Sequence, residues 1–171
     1  MILYEEVLRE FQRQKVKYVV VGGIAINLHG FLRYTSDLDI LVDLTDSNLK
    51  KIVTILKKMG YRVKQPVDPI GTADGKIRYD WIKNKNMKAF NFYKDGEYKE
   101  VDVIIESPVP FKEADQNALH LKIDDVKIPV ISLDDLIKMK RKAAREIDQR
   151  DLEQLGIIRK IRPKRRTKPG L

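Results

Sequence analysis

Two pairs of carboxylates lie within runs of β-forming residues, where charged side chains are uncommon. Asp37 and Asp39 flank Leu38 and lead into an apolar run, so both carboxylates project from one face of a predicted strand. Glu100 and Asp102 share one face of another predicted strand in the same way. Solvated charges on edge strands are the alternative interpretation.

A cluster of these acids would require cations. If the two strands are neighbours, Asp37, Asp39 and Asp102 meet at one end of the sheet, where two carboxylates about 4 Å apart repel by roughly 4 kcal/mol. Oxygen-rich sites of this kind bind Mg²⁺, and a pair of such ions can hold the attacking and leaving oxygens of a phosphoryl displacement. The spacing therefore predicts metal-assisted phosphoryl chemistry.

A double glycine precedes the first acidic strand. Gly22 and Gly23 follow the predicted strand 17–21 and precede a short helical segment at 24–29. Uncovered backbone amides at the start of a helix favour a phosphate group. A tight turn with close packing is the alternative, and the acidic strand that follows favours the phosphate interpretation.

These motifs together resemble the nucleotidyltransferase superfamily of the DNA polymerase β type. Gly22 and Gly23 are followed by thirteen residues, then by Asp37-Leu38-Asp39-Ile40, and later by a third acid at Asp102. The segment 22–43 is similar to a small prokaryotic subgroup related to abortive-infection and toxin-type nucleotidyltransferases. His29-Gly30, Arg33 and Thr35 also fit that pattern, and residues from Ser132 to Asp151, including Lys140, Arg145 and Asp148, are similar to the C-terminal helices of those proteins.

The resemblance implies a fold, a reaction and a set of site residues. The fold would be α+β, with a mixed sheet and helices packed on one side. The reaction would transfer a nucleoside monophosphate from a nucleoside triphosphate to an acceptor hydroxyl or phosphate, with release of pyrophosphate. Gly22 and Gly23 would cradle the triphosphate, Asp37 and Asp39 would hold two Mg²⁺ ions, and Asp102 would complete one ion site and deprotonate the acceptor. The remaining nucleotide-binding residues would be Arg33, Thr35 and Lys140.

Three of the weaker candidates have structural alternatives. Lys140 interrupts the apolar face of a predicted helix, so its charge needs a triphosphate oxygen, a neighbouring carboxylate, or a position at the rim of the core. Arg33 could meet phosphate or offset the charge of Asp37 and Asp39. His29 is expected to be a hydrogen-bonded packing residue.

The periodicity of apolar residues and the turn signals predict the elements that position these side chains. Helices are predicted around residues 3–11, at 47–59, from Ser132 onward and at about 148–158, and strands at 17–21, 37–42, 76–82, 87–93, 100–105, 119–123 and 126–131. The segment 68–75 is predicted as a loop. This organisation suggests a nucleotidyltransferase core over residues 1–131, C-terminal helices over 132–158 packed on the core, and a basic tail over 159–171.

Charge and composition limit the remaining possibilities. The chain has 171 residues, no cysteine and a formal net charge of +9. Seven of its 34 basic residues lie between Arg159 and Lys168, and the rest of the chain is nearly neutral with 27 bases and 25 acids. The tail is either a solvated end or an arm that contacts an RNA or tRNA acceptor or a protein partner. The lack of cysteine and of apolar runs predicts a cytoplasmic protein that has no contact with a membrane.

A second class of function stays open at this point. A nucleotidyltransferase fold whose catalysis has lapsed could use the basic tail to bind RNA or a partner. Against this, a binding module has no need for three mutually repelling carboxylates.

Overall fold

One mixed sheet of seven strands forms the centre of the protein. The computed structural model describes residues 4–143 and 146–161. The strands are β1 (Tyr18–Val20), β2 (Asp37–Val42), β3 (Arg62–Val63), β4 (Ala89–Tyr93), β5 (Glu100–Ile104), β6 (Leu119–Ile123) and β7 (Val126–Val130). They are arranged in the order β3-β4-β5-β2-β1-β7-β6. The predicted α+β fold with a mixed sheet is confirmed.

Seven α-helices accompany the sheet in the described part of the chain. They are α1 (Glu5–Arg13), α2 (Gly22–Leu28), α3 (Asp46–Lys58), α4 (Gly75–Lys85), α5 (Phe111–Asn117), α6 (Leu133–Ala143) and α7 (Glu146–Ile161), and a short 3₁₀ helix covers Pro69–Ala73. No helix within residues 4–143 and 146–161 combines the length and the apolar character needed to cross a membrane.

The acidic strands lie at the middle of the sheet. β2 pairs with β5 in parallel and with β1 in antiparallel orientation. Leu38 and Ile40 of β2 and Val101 of β5 are buried on one face, which places the alternating acids on the other. Each fully buried aliphatic side chain contributes about 1.5–3 kcal/mol, so the register of these strands is strongly specified.

The helices bury the apolar stripes that their sequences predict. Leu49, Ile52 and Leu56 of α3 are almost completely buried, as are Val7 and Phe11 of α1. The helix α3 ends before Gly60, whose φ of +85° suits the left-handed conformation that closes a helix.

The prediction of a strand at residues 76–82 is wrong, because this segment lies within α4. Ile77, Tyr79 and Trp81 alternate with polar residues as in a strand, but the Asp74 side chain accepts hydrogen bonds from the amides of Lys76 and Ile77. This N-cap starts a helix. Only Trp81 of the three aromatic or aliphatic residues is buried, and Tyr79 is 65% exposed.

Other boundaries also differ from the sequence prediction. The predicted loop at 68–75 contains the 3₁₀ helix, and the sequence patterns predict neither β3 nor α5. Ser132 caps α6 as expected, since its hydroxyl accepts a hydrogen bond from the Asp135 amide. The helix α7 continues to Ile161, so the first residues of the predicted tail are helical. The rest of that tail, and Arg145, lie outside the described residues.

Candidate active site

Asp39 and Asp102 face each other across two parallel strands. The register of β2 and β5 pairs Asp39 with Asp102 and Asp37 with Glu100. Paired residues of neighbouring strands point to the same face of a sheet, so the three predicted site acids share one face at the middle of the sheet. The expectation that Asp37, Asp39 and Asp102 lie on adjacent strands is confirmed.

Each acid accepts a hydrogen bond from a neighbouring residue. The Ser36 hydroxyl donates to Asp37 Oδ1 over 2.6 Å, and Asn91 Nδ2 donates to Asp102 Oδ1 over 2.7 Å. A backbone hydrogen bond links Gly23 to Asp39. No three acidic, histidine or cysteine side chains among residues 4–143 and 146–161 converge as a ready set of metal ligands. The shared ion site therefore stays a prediction.

Burial and repulsion between carboxylates raise the pKa of two of the acids, Asp39 and Asp102. Desolvation and the charges of Asp102 and Asp37, against the opposing effects of Lys140 and Gly23, together raise the pKa of Asp39 to about 7. Burial also raises the pKa of Asp102, while the hydrogen bond from Asn91 lowers it. A bound cation would relieve this repulsion, so the set of donors fits a hard divalent ion.

The double glycine brings backbone directly against the acids. Gly22 has a φ of +64°, and a β-carbon on it would lie 1.9 Å from Asp39 Oδ2. A β-carbon on Gly23 would lie 2.5 Å from Thr35 Oγ1 and 2.7 Å from a terminal nitrogen of Arg33. A side chain at either position would have to displace these neighbours, and this part of the pocket wall is backbone.

Arg33 places an unsatisfied donor beside that turn. Its backbone is held by Asn27, which donates to the Arg33 carbonyl and accepts from the Arg33 amide, both over 3.0 Å. Arg33 Nη1 lies 3.7 Å from Asp151 Oδ2. The buried Arg33 Nε has no hydrogen-bond partner in the described part of the chain. Arg33 also lines the pocket, so its guanidinium is positioned near any anion bound there.

Lys140 is paired with neighbouring carboxylates, which was one of the alternatives that the sequence left open for it. Its ammonium is buried and lies 2.7 Å from Asp148 Oδ1 and 2.9 Å from Asp151 Oδ2. These contacts join α6 to α7. A contact between Lys140 and a nucleotide stays a prediction.

His29 is a packing residue as expected, with its buried ring nitrogen 2.8 Å from the Ile131 carbonyl oxygen.

A single cavity of about 280 Å³ brings the predicted residues together. All eight residues that the sequence assigned to the site line it: Gly22, Gly23, Arg33, Thr35, Asp37, Asp39, Asp102 and Lys140. They come from β2, β5, α6, the start of α2 and the loop before β2. The fold thus joins the predicted metal-binding and nucleotide-binding groups in one pocket.

The sequence did not identify Asn91 and Gln65 as part of the site. Asn91 pairs with Asp102 in the antiparallel register of β4 and β5, and Gln65 Nε2 donates to Asn91 Oδ1 over 2.5 Å. A signal was present, since Asn91 is a polar residue between Phe90 and Phe92. A two-residue turn at Asp95 and Gly96 would have placed Ala89 opposite Asp102, and the observed register differs from that by two residues.

Comparison with known proteins links this chain to a family. The family model of the aminoglycoside-2″-adenylyltransferases matches residues 4–155. Lincosamide antibiotic adenylyltransferase LnuA, solved with lincomycin bound, has a TM-score of 0.61 at 20% identity, covering 90% of this chain and 94% of that one. ANT(2″)-Ia, solved in complex with adenylyl-2″-tobramycin, has a TM-score of 0.57 at 14% identity, covering 93% and 94%.

The same fold occurs outside antibiotic adenylyltransferases. An antigenic nucleotidyltransferase-like protein from Paracoccidioides brasiliensis has a TM-score of 0.53 at 15% identity, covering 88% of this chain and 72% of that one. No curated protein matched the sequence. At these identities the solved structures establish the shared fold, which is the nucleotidyltransferase fold that the sequence resembles.

Proposed function

The chain belongs to the aminoglycoside-2″-adenylyltransferase family and is a nucleotidyltransferase, and we propose that it transfers the adenylyl group of ATP to a hydroxyl of a small-molecule acceptor. Pyrophosphate is the second product. The observation that carries this proposal is the pairing of Asp39 with Asp102 beside the Gly22-Gly23 turn, within one pocket.

Asp37, Asp39 and Asp102 would hold Mg²⁺. The support is the chemistry of the donors, because three carboxylates share one sheet face and the pKa of Asp39 is raised to about 7 by burial and by the other two acids. When bound, Mg²⁺ neutralises the triphosphate and the charge that develops during its cleavage. The number of ions stays a prediction.

The remaining pocket residues would bind and orient the nucleotide. The Gly22-Gly23 backbone lines the pocket at the start of α2, where backbone amides favour a phosphate group. Arg33 lines the pocket, and its guanidinium would supply a charge-assisted hydrogen bond to an anion. Thr35 lies against the Gly23 backbone and would contact the same phosphates. Lys140 contributes positive charge while paired with Asp148 and Asp151.

Asp102 would act as the general base. Asn91 donates a hydrogen bond to Asp102 Oδ1, which leaves Oδ2 to accept the proton of the acceptor hydroxyl. The deprotonated acceptor oxygen attacks the α-phosphorus of ATP, and the bond from that phosphorus to the bridging oxygen of pyrophosphate breaks. Proton transfer of this kind contributes about 10²- to 10⁴-fold to a rate.

Nucleotide binding with and without Mg²⁺ tests the proposal. We expect ATP to bind the unaltered chain more tightly when Mg²⁺ is present, and Asp39→Asn to remove most of that gain by deleting an ion ligand. Asp115→Asn, on the exposed surface of α5, is the matched control and should keep the full gain. An unaltered chain that binds ATP equally with and without Mg²⁺, and is indifferent to Asp39→Asn, would contradict the proposal.

RNA as acceptor, a protein partner and membership of the toxin-type subgroup stay predictions. The RNA acceptor and the protein partner depend on the basic tail, of which Arg159 lies on α7 and pairs with Asp134 over 3.1 Å. If the tail contacts single-stranded RNA through its seven bases, the log–log slope of affinity against salt should reach about −5. Truncation after Ile158, which removes all seven bases, should then flatten the slope. Equal RNA binding by both chains at every salt concentration would remove the support for an RNA acceptor.

A further inference from the structure

One carboxylate of α7 lies between two cations of the pocket wall. Asp151 Oδ2 lies 2.9 Å from the Lys140 ammonium and 3.7 Å from Arg33 Nη1. Arg33 and Lys140 both line the active-site pocket, and Asp151 is buried beside them. Asp151 therefore connects α7 to two of the residues that we propose to bind the nucleotide.

The Arg33 guanidinium lies between Asp151 and the double-glycine turn. Its Nη1 faces Asp151, and its Nη2 is so close to the turn that a β-carbon on Gly23 would lie 2.7 Å from it. Among the residues that the structure describes, Asp151 is the one acid that pairs with this guanidinium, and the buried Nε has no hydrogen-bond partner. The Asp151 carboxylate is therefore the charge that holds Nη2 at the turn.

Burial makes this ion pair important for the conformation of the Arg33 side chain. The side chains of Arg33 and Asp151 are 19% and 3% exposed, so solvent screens their charges only weakly. The Arg33 backbone is already fixed by Asn27 through its amide and its carbonyl. Without the carboxylate, the long side chain would regain rotamers that the ion pair now excludes.

Building on the proposed transfer reaction, we propose that Asp151 is a positioning residue, which holds the Arg33 guanidinium at the Gly22-Gly23 turn for contact with the triphosphate. Arg33 touches the nucleotide, and Asp151 acts on the nucleotide through Arg33. The helix α7 is thereby part of the apparatus that binds the triphosphate.

The sign of one change in affinity separates this role from a purely electrostatic one. Asp151→Asn removes a negative charge beside the pocket, so charge alone would tighten the binding of a polyanionic triphosphate. Loss of an oriented, charge-assisted hydrogen bond should instead weaken binding, by about tenfold. A non-hydrolysable ATP analogue, titrated with Mg²⁺ into the full chain, measures the change.

Asp134→Asn is the matched control. Asp134 also joins α6 to α7, through an ion pair with Arg159 over 3.1 Å, but it borders a different cavity. This variant should bind the analogue as tightly as the unaltered chain does. An equal loss of affinity in Asp134→Asn and Asp151→Asn would overturn the inference, because it would assign the loss to the packing of α6 on α7.

An Arg33→Ala background tests the residue through which Asp151 acts. There Asp151→Asn should no longer weaken binding of the analogue, because no guanidinium remains to be oriented. A loss of affinity that persists in this background would place the effect on Lys140 and overturn the inference. Tighter or unchanged binding by the single variant Asp151→Asn would also overturn it.

Hydrogen exchange tests the same contact in chains that keep Asp151, which covers an Asp151→Asn variant that does not fold. Saturating analogue and Mg²⁺ should slow exchange of the α7 amides at 148–155 in the unaltered chain, because a bound guanidinium also restrains the carboxylate with which it pairs. Arg33→Ala should lose most of this slowing at saturating analogue. Equal slowing in the two chains would overturn the inference.

The outcome can be separated from the fate of the proposed function. A chain that transfers the adenylyl group, but whose Asp151→Asn variant binds the analogue as the parent does, would support the transfer reaction and overturn the inference. A chain that shows the expected dependence on Asp151 and Arg33, but never transfers an adenylyl group to a hydroxyl compound, would support the role of Asp151 and contradict the transfer reaction.

Discussion

Gly22 and Asp39 approach so closely that a β-carbon on residue 22 would lie 1.9 Å from Asp39 Oδ2. The φ of Gly22 is +64°, a conformation that residues with a side chain rarely adopt. The start of α2 is thereby held against the acidic strand, with the Val21 amide donating to the Asp39 carbonyl over 2.9 Å. Backbone and carboxylate form one surface of the pocket.

Gly22→Ala should therefore impair both stability and nucleotide binding. The new methyl group must displace the Asp39 carboxylate, in addition to the roughly 1–2 kcal/mol that the left-handed conformation costs an L-residue. Gly96→Ala is the matched control, because Gly96 has a φ of +75° and a β-carbon there would meet no atom within 4 Å. Urea unfolding and ATP titration should show a larger loss for Gly22→Ala, and only the backbone cost for Gly96→Ala. Equal effects of the two changes would contradict the role of the contact.

Asn91→Ala should lower kcat and leave the KM for ATP nearly unchanged. Asn91 holds Asp102 Oδ1 and is itself oriented by Gln65, so it acts on the acid and not on the nucleotide. Removal of such a supporting residue typically costs about 10- to 100-fold in activity. Asn84→Ala removes a similar hydrogen bond, to Asp80 on exposed α4, and should leave both constants unchanged. An Asn91→Ala variant with normal kcat would show that Asp102 needs no such support.

Lys140→Met should destabilise the chain by about 3 kcal/mol, because it leaves two buried carboxylates without the ammonium they share. Adding Asp148→Asn and Asp151→Asn to this variant should restore most of the loss. Lys94→Met breaks a surface ion pair with Glu97 and should change the free energy of unfolding by about 0–1 kcal/mol. Urea unfolding measures all three, and a Lys140→Met variant as stable as the parent would contradict the account of this network.

Asp39 should make the chain less stable as the pH rises from about 4 to 7. Its pKa is about 7 in the folded chain and about 3.9 in an unfolded one, so the folded state binds the extra proton across this window. Asp39→Asn does not titrate there, and in EDTA its stability should rise relative to the parent over the same window. A difference that stays flat between pH 4 and 8 would contradict the raised pKa.

Asp125→Asn provides the control of opposite sign. The Arg9 guanidinium lowers the pKa of Asp125, so the folded state of the parent is favoured once the pH exceeds the ordinary value for this carboxyl. This variant should therefore lose stability relative to the parent as the pH rises through the acidic range. Thermal or urea unfolding of both variants over one set of buffers compares the two signs directly.

The strands that carry the acids were predictable from sequence because their signals are local. Asp37 and Asp39 alternate with fully buried residues, and the boundaries of β2 match the predicted strand. The resemblance to the family predicted that the strand of Asp102 lies next to the strand of Asp37 and Asp39. The alternation of apolar and polar residues within each strand does not predict which strands are neighbours. The sequence therefore yielded the acids and the glycine turn of the candidate site.

Features that depend on contacts distant in sequence were not predictable. Residues 76–82 alternate like a strand, and the helix there is favoured by the packing of Trp81 on Phe90, although the Asp74 cap was a local signal that the prediction missed. The sequence could not show whether Lys140 pairs with a phosphate or with a carboxylate, because the carboxylates beside it come from the packing of α6 on α7. Asn91 lies opposite Asp102 in the observed hairpin register. A two-residue turn at Asp95 and Gly96 would have shifted that register by two residues.

The most direct test of the central claim is single-turnover transfer from ATP labelled in its α-phosphate, with Mg²⁺ and an acceptor identified by screening. Asp102→Asn should bind ATP within about threefold of the parent but transfer label about 10²- to 10⁴-fold more slowly, because the change removes the base and keeps most nucleotide contacts. Asp115→Asn should transfer label at the parental rate. Transfer by Asp102→Asn at the parental rate would contradict the assignment of this pocket as a nucleotidyltransferase active site with Asp102 as its base.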